Sequence, residues 1–247
     1  MTTTTDHTDA VRYAESAGKV LLELRDDAER PAWALGDAGD AVANRHLIGL
    51  IRADHPDDRI LSEESADDRR RLDADRVWII DPLDGTREYT EPGRADWAVH
   101  VALWERGKGL TAGAVALPAL GLVLSTDPAP VVPANDGRPL RVVVSRSRAP
   151  QVAMRVAQAL EADLVTLGSA GAKAMAVVRG DVDAYVHAGG QYEWDSAAPA
   201  VVAQAAGLHT SRLDGSPLEY NQSSPWLPDL IVCRPEIADR VLDVTTR

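Results

Sequence analysis

A compact apolar run, Val77-Trp78-Ile79-Ile80, ends directly on Asp81-Pro82-Leu83-Asp84-Gly85-Thr86. A strand that buries this run must deliver two carboxylates into a tight turn at its end. Pro82 sets one φ angle, and Gly85 lets the backbone approach another group closely. Two carboxylates three residues apart at a strand end can surround hard cations, and free amides at a following helix start can hold an anion. Read alone, the same residues equally make an Asp-rich turn that caps a helix.

Three further acidic sites bear on that choice. Ser62-Glu63-Glu64-Ser65 follows the short strand Arg59-Ile60-Leu61-Ser62 and sets two carboxylates at its end. Glu193-Trp194-Asp195 precedes an Ala-rich helix expected from Asp195 to Ala206, with Asp195 also readable as its N-cap. Gly39-Asp40 opens a helix expected over Asp40–Ala53, after a break at Pro31 and Gly36/Gly39, and the capping alternative applies there as well.

The rest of the chain reads as two halves. A first helix is expected from an N-cap at Asp9 to about Asp27, after a frayed Thr-rich start. The charged stretch 67–75 reads as a solvated loop or helix face, and 97–125 as an antiparallel meander with glycine breaks. Residues 127–139 hold four prolines and Asn-Asp-Gly, a linker composition. Beyond it strands and helices alternate: strands 140–144, 164–167, 182–186 and 230–233; helices 150–161, one opened by G-S-A-G-A-K at 168–173 and ending near Gly180, 195–206 and 235–244. The fold class is therefore α/β, with an α+β half over 1–133 and an α/β half over 138–247, packed as one functional unit.

Composition narrows the function. The 247 residues are 45% apolar, enough for a sizeable core, and Phe is absent, so Leu, Val, Ile and Ala must fill it. A net charge of −12 argues against a nucleic-acid polymer as partner. Cys233 is the single cysteine, which excludes a disulfide framework and fits a reducing cytoplasm. No signal peptide and no run of 18 apolar residues is present, so no membrane span is expected. The six histidines, at 7, 46, 55, 100, 187 and 209, form no metal-binding spacing and read as structural or surface, with His100 and His187 in core strands.

Taken together, S-E-E-S at 62–65, W-I-I-D-P-L-D-G-T-R-E at 78–88 and E-W-D-S-A-A-P-A at 193–200 resemble the inositol monophosphatase superfamily of metal-dependent phosphatases. The resemblance covers nearly the whole chain in the family's order and spacing. L-D-G-T-R-E, G-S-A-G-A-K at 168–173 and W-D-S-A-A are most similar to its 3′(2′),5′-bisphosphate nucleotidase branch. That branch removes the 3′-phosphate of adenosine 3′,5′-bisphosphate, a by-product of sulfate assimilation. The resemblance implies a layered αβαβα sandwich, commonly a homodimer, and in many members inhibition by Li⁺. It implies two or three Mg²⁺ held by Glu63, Asp81, the Leu83 carbonyl, Asp84 and Asp195, with Asp81 bridging. It implies Asp40 with Thr86 as the pair that orients and deprotonates water, and the amides of Gly85 and Thr86 on the scissile phosphate. Asp84 and Asp195 would also face the substrate.

Physical chemistry points the same way. Phosphate-ester hydrolysis needs a nucleophile at neutral pH and a neutralised leaving oxygen, which paired cations supply. Four carboxylates without Cys or a His cluster select Mg²⁺ or Mn²⁺ over Zn²⁺. Two departures matter. Inositol-specific members carry Glu seven residues before the last metal-binding Asp, where this chain has Ala188, and Gly39 stands where Thr often precedes the helix-starting Asp. Lys173 and the segment Ser145-Arg146-Ser147-Arg148, with Arg146 foremost, are candidates for a second phosphate, or else an ordinary helix lysine and basic loop. Inositol-1-phosphate and fructose-1,6-bisphosphate are the alternative substrates. A haloacid-dehalogenase phosphatase needs D-x-D-G-[TV], one residue shorter than the spacing here. A non-catalytic nucleotide- or metal-binding protein would not need the complete carboxylate set.

Overall fold

The computed structural model describes residues 4–26 and 32–247. Three cores hold five layers together, the central one spanning both faces of the middle helical layer. Helices α1 (Thr4–Arg25) and α2 (Ala32–Asp54) cover one face of a sheet of β1 (Arg59–Ser62), β2 (Arg76–Asp84), β3 (Ala98–Glu105), β4 (Gly109–Leu117) and β5 (Leu122–Ser125). The short α3 (Thr86–Thr90) leaves the end of β2.

A second sheet contains β6 (Arg141–Ser145), β7 (Asp163–Leu167), β8 (Ala184–Tyr192), β9 (His209–Ser211) and β10 (Trp226–Cys233). Helices α5 (Ala170–Val178) and α6 (Glu193–Ala205) lie between the sheets, and α4 (Gln151–Leu160) and α7 (Ala238–Thr245) close the outer face. This is the expected αβαβα sandwich. The middle layer is rich in alanine, and small side chains let helix and sheet approach closely. A Cβ on Gly113 of β4 would stand 2.6 Å from Val201 Cγ1 of α6.

The first sheet runs in the order β1-β2-β3-β4-β5, and β3–β5 form the expected meander. The second runs β7-β6-β8-β10-β9, with β6 parallel to β7 and β8, and β10 antiparallel to both β8 and β9. The strand–helix alternation therefore holds, while an antiparallel edge, including the unexpected β9, completes the sheet.

Several boundaries differ from the sequence reading. Helix α1 begins at Thr4, and Asp9 lies inside it, buried and bound to Arg12 at 2.7 Å and His55 at 3.0 Å. An acidic residue that would cap a free helix end is here held by Arg12, one turn on in the same helix, and by His55 from just beyond α2. Helix α2 begins at Ala32 and runs through Gly36 and Gly39, so Asp40 is mid-helix. These glycines mark close approach instead of a break: a Cβ on either would meet Thr86, or Leu83 and Tyr89, at 2.9 Å. Pro31 and Met1–Thr3 fall outside the described residues. Helix α6 starts at Glu193, which makes Asp195 its third residue.

The charged stretch 67–75 is not simply solvated. Arg71 is fully buried, donating to Asp67 at 2.7 Å, to Asn221 Oδ1 at 2.7 Å and to the Gln222 carbonyl at 2.9 Å. It joins the first half of the chain to the loop before β10. Arg71→Met should lower unfolding free energy by about 1.5–3 kcal/mol in denaturant melts. A loss under about 0.5 kcal/mol would mark it as an ordinary surface arginine.

Candidate active site

Strands β1 and β2 are parallel with Ser62 beside Ile80. Continuing that register sets Glu63 beside Asp81, close enough for each carboxyl to shift the other's titration. Past Asp81 the β2–β3 ladder shifts register, and the chain turns at Gly85 with φ +87°, a left-handed conformation that glycine adopts without strain. A Cβ there would also strike Ser169 at 2.9 Å. From the second half, β8 runs directly into α6, where the Tyr192 amide donates to Asp195 Oδ2 at 2.6 Å and fixes that carboxylate.

The result is a cage. One oxygen each of Asp81, Asp84 and Asp195 lie within 4.8 Å of one another. Asp81 Oδ1 accepts the Leu83 amide at 3.1 Å, while its buried Oδ2 has no hydrogen-bond partner. An orphaned, buried carboxylate oxygen in an all-oxygen donor set fits a hard divalent cation. Nearby, Thr86 Oγ1 lies 3.3 Å from Asp40 Oδ1 and 3.2 Å from the Leu83 carbonyl. The fold thus brings together Asp40, Glu63, Asp81, Leu83, Asp84, Gly85, Thr86 and Asp195, drawn from four separate stretches.

Electrostatics separates these acids. Burial, then the charges of Glu63 and Asp84, raise Asp81 well above the carboxylate range. Glu63 is exposed as a residue, but its carboxyl end is crowded by protein, and with Asp195 nearby it rises to about 7. Asp195 rises to about 6 through burial and Asp84. Asp40 rises to about 7, through burial first and Glu64 second. Asp84 alone falls, to about 2: burial opposes its charge, but His100, Lys173 and Ser169 outweigh it.

Asp84 also anchors the loop before α5. It accepts Ser169 Oγ, the Ala170 amide at 3.2 Å and the Gly171 amide at 2.6 Å. Its Oδ2 is therefore saturated, and Oδ1 keeps the spare lone pair.

The sequence reads His100 as a structural or surface histidine in a core strand, and no spacing signal marks it. It is fully buried in the cage wall, with Nδ1 3.0 Å from the Trp194 carbonyl and Nε2 3.2 Å from Asp84 Oδ2. Gly171 makes room for it, since a Cβ there would stand 2.0 Å from Nε2.

The two basic candidates are engaged elsewhere. Arg146 binds Glu88 at 2.7 Å and Glu91 at 2.8 and 2.9 Å. Lys173 is buried, donating to the Gly168 carbonyl and to the Ser169 carbonyl at 2.8 Å, with its ammonium 5.2 Å from the Tyr185 ring centre. Cys233 is buried and its thiol pushed up to about 12, so it is inert.

The model of the inositol monophosphatase family matches residues 37–243. The chain belongs to that family. Family members are metal-dependent, in keeping with the acidic cage. A Mycobacterium leprae protein named 3′-phosphoadenosine 5′-phosphate phosphatase is 54% identical over 97% of this chain and 93% of its own length. The Escherichia coli K12 protein named 3′(2′),5′-bisphosphate nucleotidase CysQ is 30% identical over 87% of this chain and 94% of its own. Among solved structures, inositol monophosphatase II of Staphylococcus aureus superposes with a TM-score of 0.82 at 20% identity, covering 99% of this chain and 98% of that one. CysQ of Bacteroides thetaiotaomicron superposes with a TM-score of 0.77 at 24% identity, covering 93% and 97%. These likenesses carry the fold. No helix among the described residues is long and apolar enough to cross a membrane.

The raised carboxyls make a pH signature. Ordinary carboxyls titrate near pH 4, but Glu63 and Asp195 titrate at about 7 and 6 in the fold. Between those values the folded state binds more protons than the unfolded one. Stability of chelator-treated protein should therefore fall as pH rises from about 4 to about 7. Added divalent cation should restore it, more at pH 8 than at pH 6, because ligation expels those protons. Equal cation-induced shifts in melting temperature at both pH values would contradict this.

Proposed function

We propose that this chain is a metal-dependent phosphomonoesterase that removes the 3′-phosphate of adenosine 3′,5′-bisphosphate, yielding AMP and phosphate. The observation that carries the reading is the carboxylate cage with its orphaned Asp81 oxygen. Ala188 in place of the inositol-contacting Glu, and the names of relatives 54–56% identical, favour a nucleotide over inositol-1-phosphate.

Glu63, Asp81, the Leu83 carbonyl, Asp84 through Oδ1, and Asp195 would hold two or three Mg²⁺, with Mn²⁺ a substitute. Such ions, when bound, acidify water and neutralise the leaving oxygen. Asp40, raised to about 7, is poised to take a proton near neutral pH. Thr86 has one hydroxyl proton, so it donates either to Asp40 or to the Leu83 carbonyl. When it turns to Leu83, Asp40 is free as a base and the Thr86 oxygen accepts from the attacking water. The amides of Gly85 and Thr86, at a helix start, hold phosphoryl oxygens. Lys173 acts from behind, bracing the 168–169 loop that fixes Asp84, and Arg146 acts through Glu88 and Glu91. The two halves, 1–133 and 138–247, form one unit in this reading, since Asp195 comes from the second. A cytoplasmic location and a homodimer belong to the same reading, and light scattering gives the mass that decides the latter.

Phosphate release should occur from adenosine 3′,5′-bisphosphate with Mg²⁺, and stop with chelator. Faster turnover of inositol-1-phosphate or fructose-1,6-bisphosphate in the same panel would overturn the substrate. Asp195→Asn keeps an acceptor for the Tyr192 amide and removes the charge, so it should weaken apparent Mg²⁺ affinity with little change in melting. Asp40→Asn should lower kcat by about 10²–10⁴-fold with KM nearly unchanged. A kcat within a few-fold of the parent would remove Asp40 from the chemistry.

A further inference from the structure

The basic segment Ser145-Arg146-Ser147-Arg148 divides in two. Arg146 is neutralised by Glu88 and Glu91. Arg148 is exposed, and its guanidinium forms no ion pair or hydrogen bond among the described residues. It stands over strand β8, with Nη2 3.7 Å from where a Cβ on Gly189 would be.

That part of β8 is unusual. Gly189 and Gly190 have φ of +101° and +94°, and the ladder to β10 shifts register beside them. His187 holds the bend, with Nε2 3.0 Å from the Gly190 carbonyl. Gly190 in turn lies under an indole: a Cβ there would meet Trp226 Nε1 at 2.7 Å. Trp226 pairs across the ladder with Tyr192. Both rings are open to solvent, Trp226 at 51% and Tyr192 at 45%, although Trp194 stacks on Tyr192 at 4.8 Å. The Tyr192 amide is hydrogen-bonded to Asp195 of the cage. Gly189, under Arg148, is three residues before Tyr192, which faces Trp226 and whose amide binds a cage carboxylate, so the cation and the aromatic pair neighbour the cage along β8.

We propose that this glycine bend is the floor of a nucleoside 5′-phosphate subsite, with Arg148 binding the second phosphate and the Trp226–Tyr192 pair stacking the base. The inference rests on the phosphatase reading above and names the residues that choose its substrate. The glycines let the guanidinium and the indole lie directly on the strand, and the indole stays open for a flat ring to stack on it. A guanidinium without a carboxylate partner offers its donors to a phosphate in two parallel bonds. In a chain of net charge −12, such an unpaired cation close to an acidic cage is what a doubly anionic ester needs.

The test compares kcat/KM for adenosine 3′,5′-bisphosphate, adenosine 3′-monophosphate and glycerol phosphate in the parent, Arg148→Ala, Arg148→Lys and Trp226→Ala proteins. In Arg148→Ala the bisphosphate-to-monophosphate ratio should fall about ten- to a hundredfold, carried by KM, and Arg148→Lys should restore part of it. In Trp226→Ala the ratio of adenosine 3′-monophosphate to glycerol phosphate should fall about tenfold. Unchanged ratios in an active protein overturn the subsite and leave the phosphatase reading standing. A parent that releases phosphate from glycerol phosphate but from neither nucleotide overturns both. A Trp226→Ala protein whose ratios hold while its mass in solution changes makes the patch a contact between copies, and the proposal fails.

Discussion

Crowding of like charge governs this molecule. Asp81, Asp84 and Asp195 bring carboxylate oxygens within 4.8 Å in a place largely shut off from water. Unscreened repulsion at that distance is costly. Protons or cations must occupy the cage, or fixed positive groups must face it. The raised values of Glu63, Asp81 and Asp195 express the first remedy, and the low value of Asp84 the second. His100, Lys173 and the first amides of α5 hold Asp84 most strongly, so it stays ionised at pH values where Glu63 and Asp195 still bind protons. That asymmetry leaves vacant acceptor capacity for a divalent ion at neutral pH.

The layers serve the same end. Parallel β1 and β2 set Glu63 beside Asp81, and the small residues of α5 and α6 let the second half press against the first. Gly85, Gly168 and Gly171 are then forced by contact: a Cβ on each would strike Ser169, Glu88 or His100. Stability of the interface and geometry of the cage are one property. The loop that packs on the turn is the loop that binds its carboxylate.

Much of this was legible in the residues. The run into D-P-L-D-G-T, the acidic pair after β1 and the E-W-D helix start marked every carboxylate of the cage, because short-range chemistry writes itself as motif, and the alternation of strands and helices marked the α/β class. Boundaries that depend on distant partners were not legible. Asp9 has the look of an N-cap, but His55 and Arg12 hold it inside α1. Gly36 and Gly39 look like a break, yet they admit the turn against α2. His100 carries no spacing signal, since both its partners arrive from other elements.

The amino-acid sequence by itself determined the αβαβα class, the acidic donor set and its preference for hard cations. The α/β alternation follows from periodicity and the donor set from residue chemistry and spacing, while the αβαβα layering is what the resemblance to a known family implies. Only the tertiary structure decided which charges are spent. Arg146 and Lys173 are consumed by neighbours 58 and 5 residues away, and Arg148 is left open. Pairing of charges is a matter of distance in space, which residue order along a chain does not encode.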